Sequence, residues 1–134
     1  MLFSNSLIHW YLNNKRDLPW RNTHNPYNIW LSEIMLQQTQ VKTVLPYYER
    51  WIRAFPTIEN LSNAPEQKVL KLWEGLGYYS RAKNLKKASQ IICKEMNKEL
   101  PKTVKALQKL PGIGRYTAGA ISSIAFGLKA PVLD

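Results

Sequence analysis

Leu110-Pro111-Gly112-Ile113-Gly114-Arg115-Tyr116-Thr117-Ala118 sets a Pro-Gly-x-Gly turn between two segments of helical period. Upstream, Thr103 opens a short helix to Lys109; downstream, a second helix starts after Gly114 and runs to about Phe126. Two helices joined so tightly bring free backbone N–H groups and a positive helix end to one spot, which is how a protein grips a phosphate without reading bases. Gly112 and Gly114 leave room for a nucleic-acid backbone to approach, and Lys109 and Arg115 flank the turn with positive charge. The same spacing also fits an ordinary αα-hairpin.

Outward from this turn, apolar residues recur at intervals of three and four almost throughout, and no stretch alternates in the manner of a strand, so the expected fold class is all-α. Residues 2–13 carry an apolar stripe at Leu7, Ile8, Tyr11 and Leu12. Asn25 followed by Pro26 predicts an N-cap and a first helical turn, opening a helix to about Gln38. Thr39 is the expected cap of the next helix, which reaches about Phe55 with Pro46 kinking or restarting it. Asn63 and Glu66 have capping-box spacing ahead of a helix that ends at Gly75-Leu76-Gly77. Ser80 to about Lys98 reads as an amphipathic helix with Leu85, Ala88, Ile92 and Met96 inward. No repeat or low-complexity linker divides the chain, and 134 residues at 45% hydrophobic content suffice for one core.

The composition excludes several classes. With 19 Lys and Arg against 9 Asp and Glu, the net charge is +10, and a polyanion is the expected partner. One cysteine, Cys93, supplies neither an internal disulfide nor a four-cysteine metal site, and it reads as a core thiol. No apolar run reaches a membrane span's length, and the N-terminus has no signal-peptide pattern, so a cytoplasmic protein is expected. The charge is also segregated. From Glu74 to Glu95 no acid intervenes among Arg81, Lys83, Lys86, Lys87 and Lys94; from Glu99 to Asp134 none intervenes among Lys102, Lys105, Lys109, Arg115 and Lys129. Two such segments point to contact with nucleic acid, because a merely solubilising surface intersperses signs.

Two further constellations bear on chemistry. In Ser32-Glu33-Ile34-Met35-Leu36-Gln37-Gln38-Thr39-Gln40, the residues Glu33, Gln37 and Gln40 are spaced to share one helix face, while Ile29, Trp30, Ile34 and Met35 cover the others. That face is either a surface stripe or the floor of a polar cleft. Gly75-Leu76-Gly77-Tyr78-Tyr79-Ser80-Arg81 presents two tyrosines before a basic helix, suited to stacking on bases and equally to core packing.

The strings WLSEIMLQQTQV (30–41), LWEGLGYYSRAKNL (72–85), LPGIGRYTAGAI (110–121) and PVLD (131–134), with LPWR (18–21), resemble the adenine-specific mismatch glycosylases of the MutY type, within the endonuclease III or helix-hairpin-helix superfamily. The resemblance runs along essentially the whole chain. It implies a single helical glycosylase domain over 1–134, with an N-terminal helix at 2–13, a six-helix barrel at about 25–127 and the helix-hairpin-helix at about 103–127. It implies a monomer acting on double-stranded DNA with an A:8-oxoguanine or A:G mismatch, flipping out the adenine and hydrolysing its N-glycosidic bond. On that likeness Glu33 matches the general acid and Asp134 the carboxylate that stabilises an oxocarbenium-like sugar. Tyr116 falls where the bifunctional relatives carry a lysine nucleophile; a phenol forms no Schiff base, so a simple glycosylase is implied over a lyase, and the likeness counts Tyr116 with the catalytic residues because in some relatives a tyrosine here assists near the sugar. Gln38 resembles the wedge that fills the vacated base position, and Tyr78 the residue beside the oxidised guanine. Gln37, Arg81, Lys109, Gly112, Gly114 and Arg115 join the expected DNA contacts, and Arg21 and Leu36 match positions near the base pocket.

Departures from the family pattern matter as well. The family continues past the aspartate into helices with four cysteines that bind a [4Fe-4S] cluster, and these 134 residues carry none of those ligands, so neither cofactor nor metal is expected in this chain. His9 and His24 match no catalytic role. Three readings follow: an adenine glycosylase without the cluster region, a truncated and catalytically weak DNA-binding module of the same fold, and a less favoured endonuclease III-type lyase.

Overall fold

The computed structural model describes residues 24–128, so the helix expected at 2–13, Arg21 and Asp134 lie outside the described residues. Those described form seven helices: α1 (Pro26–Leu36), α2 (Val41–Ala54), α3 (Ile58–Asn63), α4 (Glu66–Trp73), α5 (Ser80–Glu95), α6 (Val104–Leu107) and α7 (Arg115–Phe126). No strand occurs among them.

α1 is the axis of the fold. Asn25 caps it as the sequence predicts: its side-chain oxygen accepts from the Tyr27 and Asn28 amides at 2.9 and 3.4 Å, and Pro26 supplies the first helical turn. Tyr27 and every residue from Ile29 to Leu36 are buried, so the helix is enclosed on all sides. α7 packs against one side of it and α2 against another, while α5 carries α3 and α4. The core includes Trp51 set edge-on against Phe55 and Trp73, with ring centroids 5.3 and 5.6 Å apart. Tyr27 ties this cluster to α1 by donating to the Phe55 carbonyl oxygen at 2.8 Å and accepting from Trp51 Nε1 at 3.0 Å.

Five expectations are corrected. The region from 25 to 127 holds seven helices rather than six, because Thr57 and Asn60 form a reciprocal capping box that opens α3. The box expected at Asn63 and Glu66 does not form: Asn63 ends α3, and Ala64, directly before a proline, is driven into an extended conformation (ψ 143). Thr39 does not cap α2, since its hydroxyl donates to the Gln37 carbonyl oxygen at 3.3 Å and Gln40 takes the cap position. Pro46 sits inside an unbroken α2, on its exposed side. Met96 is only partly buried, and α5 ends at Glu95, ahead of two left-handed residues, Asn97 and Lys98.

The hairpin follows the sequence. Thr103 caps α6 by accepting from the Ala106 amide at 3.2 Å, and Gly114 stands at the N-cap of α7 without a side-chain cap. Gly127 in the left-handed conformation ends α7, and Leu128 N–H reaches back to the Ser122 carbonyl oxygen at 3.0 Å. Ser122 Oγ donates to the Lys102 carbonyl oxygen at 2.8 Å, fastening α7 to the segment before α6.

Candidate DNA-processing site

Glu33 is the chemical anomaly of α1. It is 3% exposed within a helix whose other buried side chains, Ser32 apart, are hydrophobic, which removes the surface-stripe reading. Burial pushes its carboxyl up from the ordinary 4.5 to about 8, so it holds its proton at neutral pH. Among the described residues no hydrogen bond or ion pair reaches that carboxyl group. Isolation of this kind marks a functional position more often than a structural one, because a carboxyl kept only for stability is paired.

One helical turn further on, α1 ends. Gln37 occupies its C-cap and donates from Nε2 to Thr117 Oγ1 on α7 at 3.0 Å. Gln38 follows at φ 58, a left-handed conformation unusual for a side-chain-bearing residue. Gln40, expected on the Glu33 face, has left the helix altogether and caps α2. Leu36 is buried at the end of α1.

The second turn meets the first at this point. Tyr78, at φ 50 and 67% exposed, is another left-handed non-glycine residue. Gln37, Gln38, Tyr78, Ser80 and Arg81 line one open pocket of about 340 Å³. Tyr79 is also exposed, its hydroxyl accepting from the Gly75 amide at 3.2 Å, so neither tyrosine is a core packing residue. Gly75 adopts φ 101 with Tyr47 Oη packed where a Cβ would stand, and Tyr47 donates from there to the Glu74 carbonyl oxygen at 2.7 Å.

Arg81, expected among the DNA contacts, is turned inward. Nη1 donates to the carbonyl oxygens of Ile34, Met35 and Gln37 at 2.9, 3.4 and 2.7 Å, and Nη2 to those of Leu76 and Gly77 at 3.4 and 3.3 Å. Its position is that of a clamp at the C-terminal end of α1, where carbonyl groups lack helical partners. Burial lowers its pKa from the ordinary value. Beside it, Trp30, Gln37, Asn84 and Gly112 line a smaller cavity of about 120 Å³, and both Trp30 Nε1 and Arg81 Nε are buried without a hydrogen-bond partner. Lys86 is likewise removed from the basic surface: its Nζ donates to the Leu61 and Ser62 carbonyl oxygens at 3.3 and 2.6 Å, closing the end of α3.

The hairpin lies next to this site. Gly112 takes φ 80, and a Cβ there would meet Asn84 Cβ at 2.9 Å, so the turn is shaped for glycine by both conformation and space. Gly114 is different, with φ −90 and open space around it. Lys109 and Arg115 are exposed on either side. Lys87, Lys94, Glu95 and Pro111 line a shared groove of about 340 Å³, which brings the exposed face of α5 beside the start of the hairpin turn. Tyr116 sits half-buried in the first turn of α7, the helix that packs against α1.

Other features hold no expected site residue. A cavity of about 320 Å³ lies between Tyr27, Pro56, Lys98 and Phe126, with the Lys98–Glu59 ion pair (3.0 Å) on its wall. A [4Fe-4S] cluster needs four thiolates, and Cys93, half-buried on α5, is the single cysteine, so these residues do not fit that group. Among the described residues no three His, Cys, Asp or Glu gather to hold a metal, and no helix is long and apolar enough to cross a membrane. Sequence reasoning passed over Trp30, Asn84 and Thr117, which line or bond to the site; none of the three carries a local sequence signal that marks it out.

Comparison with known proteins bears on this geometry. The model of the HhH-GPD superfamily of base excision DNA repair proteins matches residues 31–134. An adenine DNA glycosylase of Buchnera aphidicola subsp. Baizongia pistaciae is 47% identical over 135 residues, spanning 100% of this chain and 38% of that protein. The human adenine DNA glycosylase is 47% identical over 141 residues, spanning 98% of this chain and 26% of that protein. The chain therefore corresponds to well under half the length of either relative. Among solved structures, a thermostable thymine-DNA glycosylase superposes with a TM-score of 0.78 at 29% identity, over 94% of this chain and 58% of that one. An endonuclease III trapped covalently on DNA superposes with a TM-score of 0.73 at 24% identity, over 95% of this chain and 62% of that one, and shares the fold.

Proposed function

The chain belongs to the HhH-GPD superfamily of base excision DNA repair proteins, and from that premise we propose that it carries the adenine-excising part of a monofunctional DNA glycosylase. The substrate is duplex DNA in which adenine faces 8-oxoguanine or guanine. The observation that carries this reading is Glu33, a carboxyl held protonated to about pH 8 by burial alone. Cleaving an N-glycosidic bond to adenine requires protonation of the purine ring so that it departs neutral, and a carboxylic acid that keeps its proton at pH 7 is the group for that task.

The adenine is extruded from the stack, Glu33 donates a proton to a ring nitrogen, and the bond from the sugar C1′ to the base nitrogen breaks with its electron pair leaving on the base. The sugar becomes oxocarbenium-like. Asp134, by its match to the family pattern, stabilises that cation, and water completes an abasic site. Tyr116 offers no amine for a covalent imine, so strand scission does not accompany release. Gln38 fills the vacated base position and Tyr78 stacks at the partner base; their shared pocket and left-handed backbones support these roles, since strained residues gather where geometry serves function. The hairpin at Gly112 and Gly114, with Lys109, Arg115 and the exposed lysines of α5, holds the phosphate backbone.

The test is single-turnover incubation of this chain with a duplex carrying one adenine opposite 8-oxoguanine, followed by alkali. Cleavage at the adenine position only after alkali is expected. Tight binding without release would leave the chain a DNA-binding module, and scission before alkali would restore the lyase reading.

A further inference from the structure

Gln38 and Tyr78 belong to different turns yet share an unusual backbone state and line the same pocket. A left-handed residue with a side chain is strained and persists only where its surroundings impose it. Each φ is a torsion measured from the preceding carbonyl carbon, so the orientation of the preceding peptide plane sets it. Before Gln38 that plane carries the Gln37 carbonyl oxygen, and before Tyr78 the Gly77 carbonyl oxygen. One guanidinium holds both: Arg81 Nη1 donates to the first at 2.7 Å and Nη2 to the second at 3.3 Å. Its plane is in turn fixed between Trp73 and Tyr78, with ring centroids 5.1 and 5.7 Å away. α1 has no basic residue in its own last turn, so this cation from α5 is what meets its terminal carbonyls.

We infer that Arg81 is a positioning residue that bridges the two turns and locks Gln38 and Tyr78 into a single preorganised reader of the damaged base pair. The inference rests on the glycosylase reading for the roles of those two residues. A lysine places one point charge where the guanidinium presents a planar fork, so it satisfies one turn and releases the other.

The experiment uses a duplex with 2-aminopurine in place of the target adenine, whose fluorescence rises when the base leaves the stack. The parent chain raises the signal, and Arg81→Lys cuts that rise at least about 5-fold while changing affinity for undamaged duplex by less than about 2-fold. In a chain already carrying Gln38→Ala and Tyr78→Ala, Arg81→Lys has no further effect; a full additive loss would make Arg81 a general structural residue and overturn the inference. Should Arg81→Lys fail to fold, the parent chain decides by NMR: slowly exchanging guanidinium protons with couplings through hydrogen bonds to the Gln37 and Gly77 carbonyl carbons support the bridge, and a solvent-averaged guanidinium refutes it. A parent chain that raises no fluorescence counts against the glycosylase reading, and the same NMR measurement then decides the bridge.

Discussion

The turn at Gly75-Leu76-Gly77-Tyr78 and the turn at Pro111-Gly112-Ile113-Gly114 both lead into a helix and both close on a backbone bond, yet they differ in what else holds them. In the first, side chains reinforce the bond from Leu76 N–H to the Trp73 carbonyl oxygen. Arg81 and Trp73 Nε1 donate to the Gly77 carbonyl oxygen, Tyr47 holds the Glu74 carbonyl, and the left-handed strain at its end falls on a tyrosine. The second closes on backbone bonds, Ile113 N–H to the Leu110 carbonyl oxygen and Ala118 N–H to that of Gly114, and its left-handed residue is a glycine. A turn that spends side chains on its own backbone is built to aim a side chain outward, here Tyr78. A turn that needs none leaves its N–H groups and its surface for something that approaches closely. On the proposed glycosylase reading, one turn reads a base and the other grips a backbone.

The widest separation between them should appear in salt. Contacts through the hairpin and the α5 lysines are electrostatic, so with about six phosphates neutralised log K falls against log[salt] with a slope of about −5, an affinity loss of roughly 10³ between 50 and 200 mM. Lys109→Gln should flatten that slope by about one, whereas Tyr78→Gly should leave it unchanged; a slope near zero in the parent would remove the backbone-grip account. Next in size is Gly112→Ala. Its positive φ and the contact with Asn84 should cost about 2–3 kcal/mol of stability by denaturant unfolding, and wild-type stability would show that the turn adapts freely.

Tyr78→Gly inverts that pattern. Glycine accepts the backbone, so stability should stay within about 1 kcal/mol of the parent, while affinity for the damaged pair drops about 10-fold through lost stacking. Equal affinity for the damaged duplex would detach Tyr78 from recognition. The smallest effect belongs to Gly114→Ala. Its backbone suits alanine and the surrounding space is open, so unfolding should shift by less than about 1 kcal/mol and duplex affinity should fall a few-fold as the Cβ meets the phosphate backbone. An unchanged affinity would place the DNA elsewhere.

How much of this the sequence disclosed varies with the kind of signal. The Asn25-Pro26 start of α1, the Thr103 cap and the glycine hairpin were legible because each is a local rule with one structural answer. α3 was missed because its capping box uses Asn60, a less familiar partner than glutamate. Glu33 was visible as a carboxylate on an apolar helix, but a one-dimensional period could not separate a surface stripe from a buried face; only packing by α2 and α7 does that. Arg81 and Lys86 entered the basic count as equals of Lys87, although both are spent on carbonyl groups distant in sequence. Charge arithmetic records sign and not direction. Arg21 and Asp134 rest on motif likeness, since they lie outside the described residues.

The central claim is that Glu33 acts as a protonated acid in a buried place. Because its proton is held to about pH 8 in the folded chain against about 4.5 for an ordinary carboxyl, the folded state binds the extra proton between those values. That contribution to stability is fully present below about pH 4.5 and is lost as pH rises through about 8, with a slope of at most about 1.4 kcal/mol per pH unit. Glu33→Gln should flatten the slope. The most direct measurement compares the parent chain with Glu33→Gln for adenine release in a single turnover at pH 7 on the 8-oxoguanine duplex, alongside duplex affinity. Release should fall at least about 100-fold with affinity kept; equal release by the two chains would contradict the assignment.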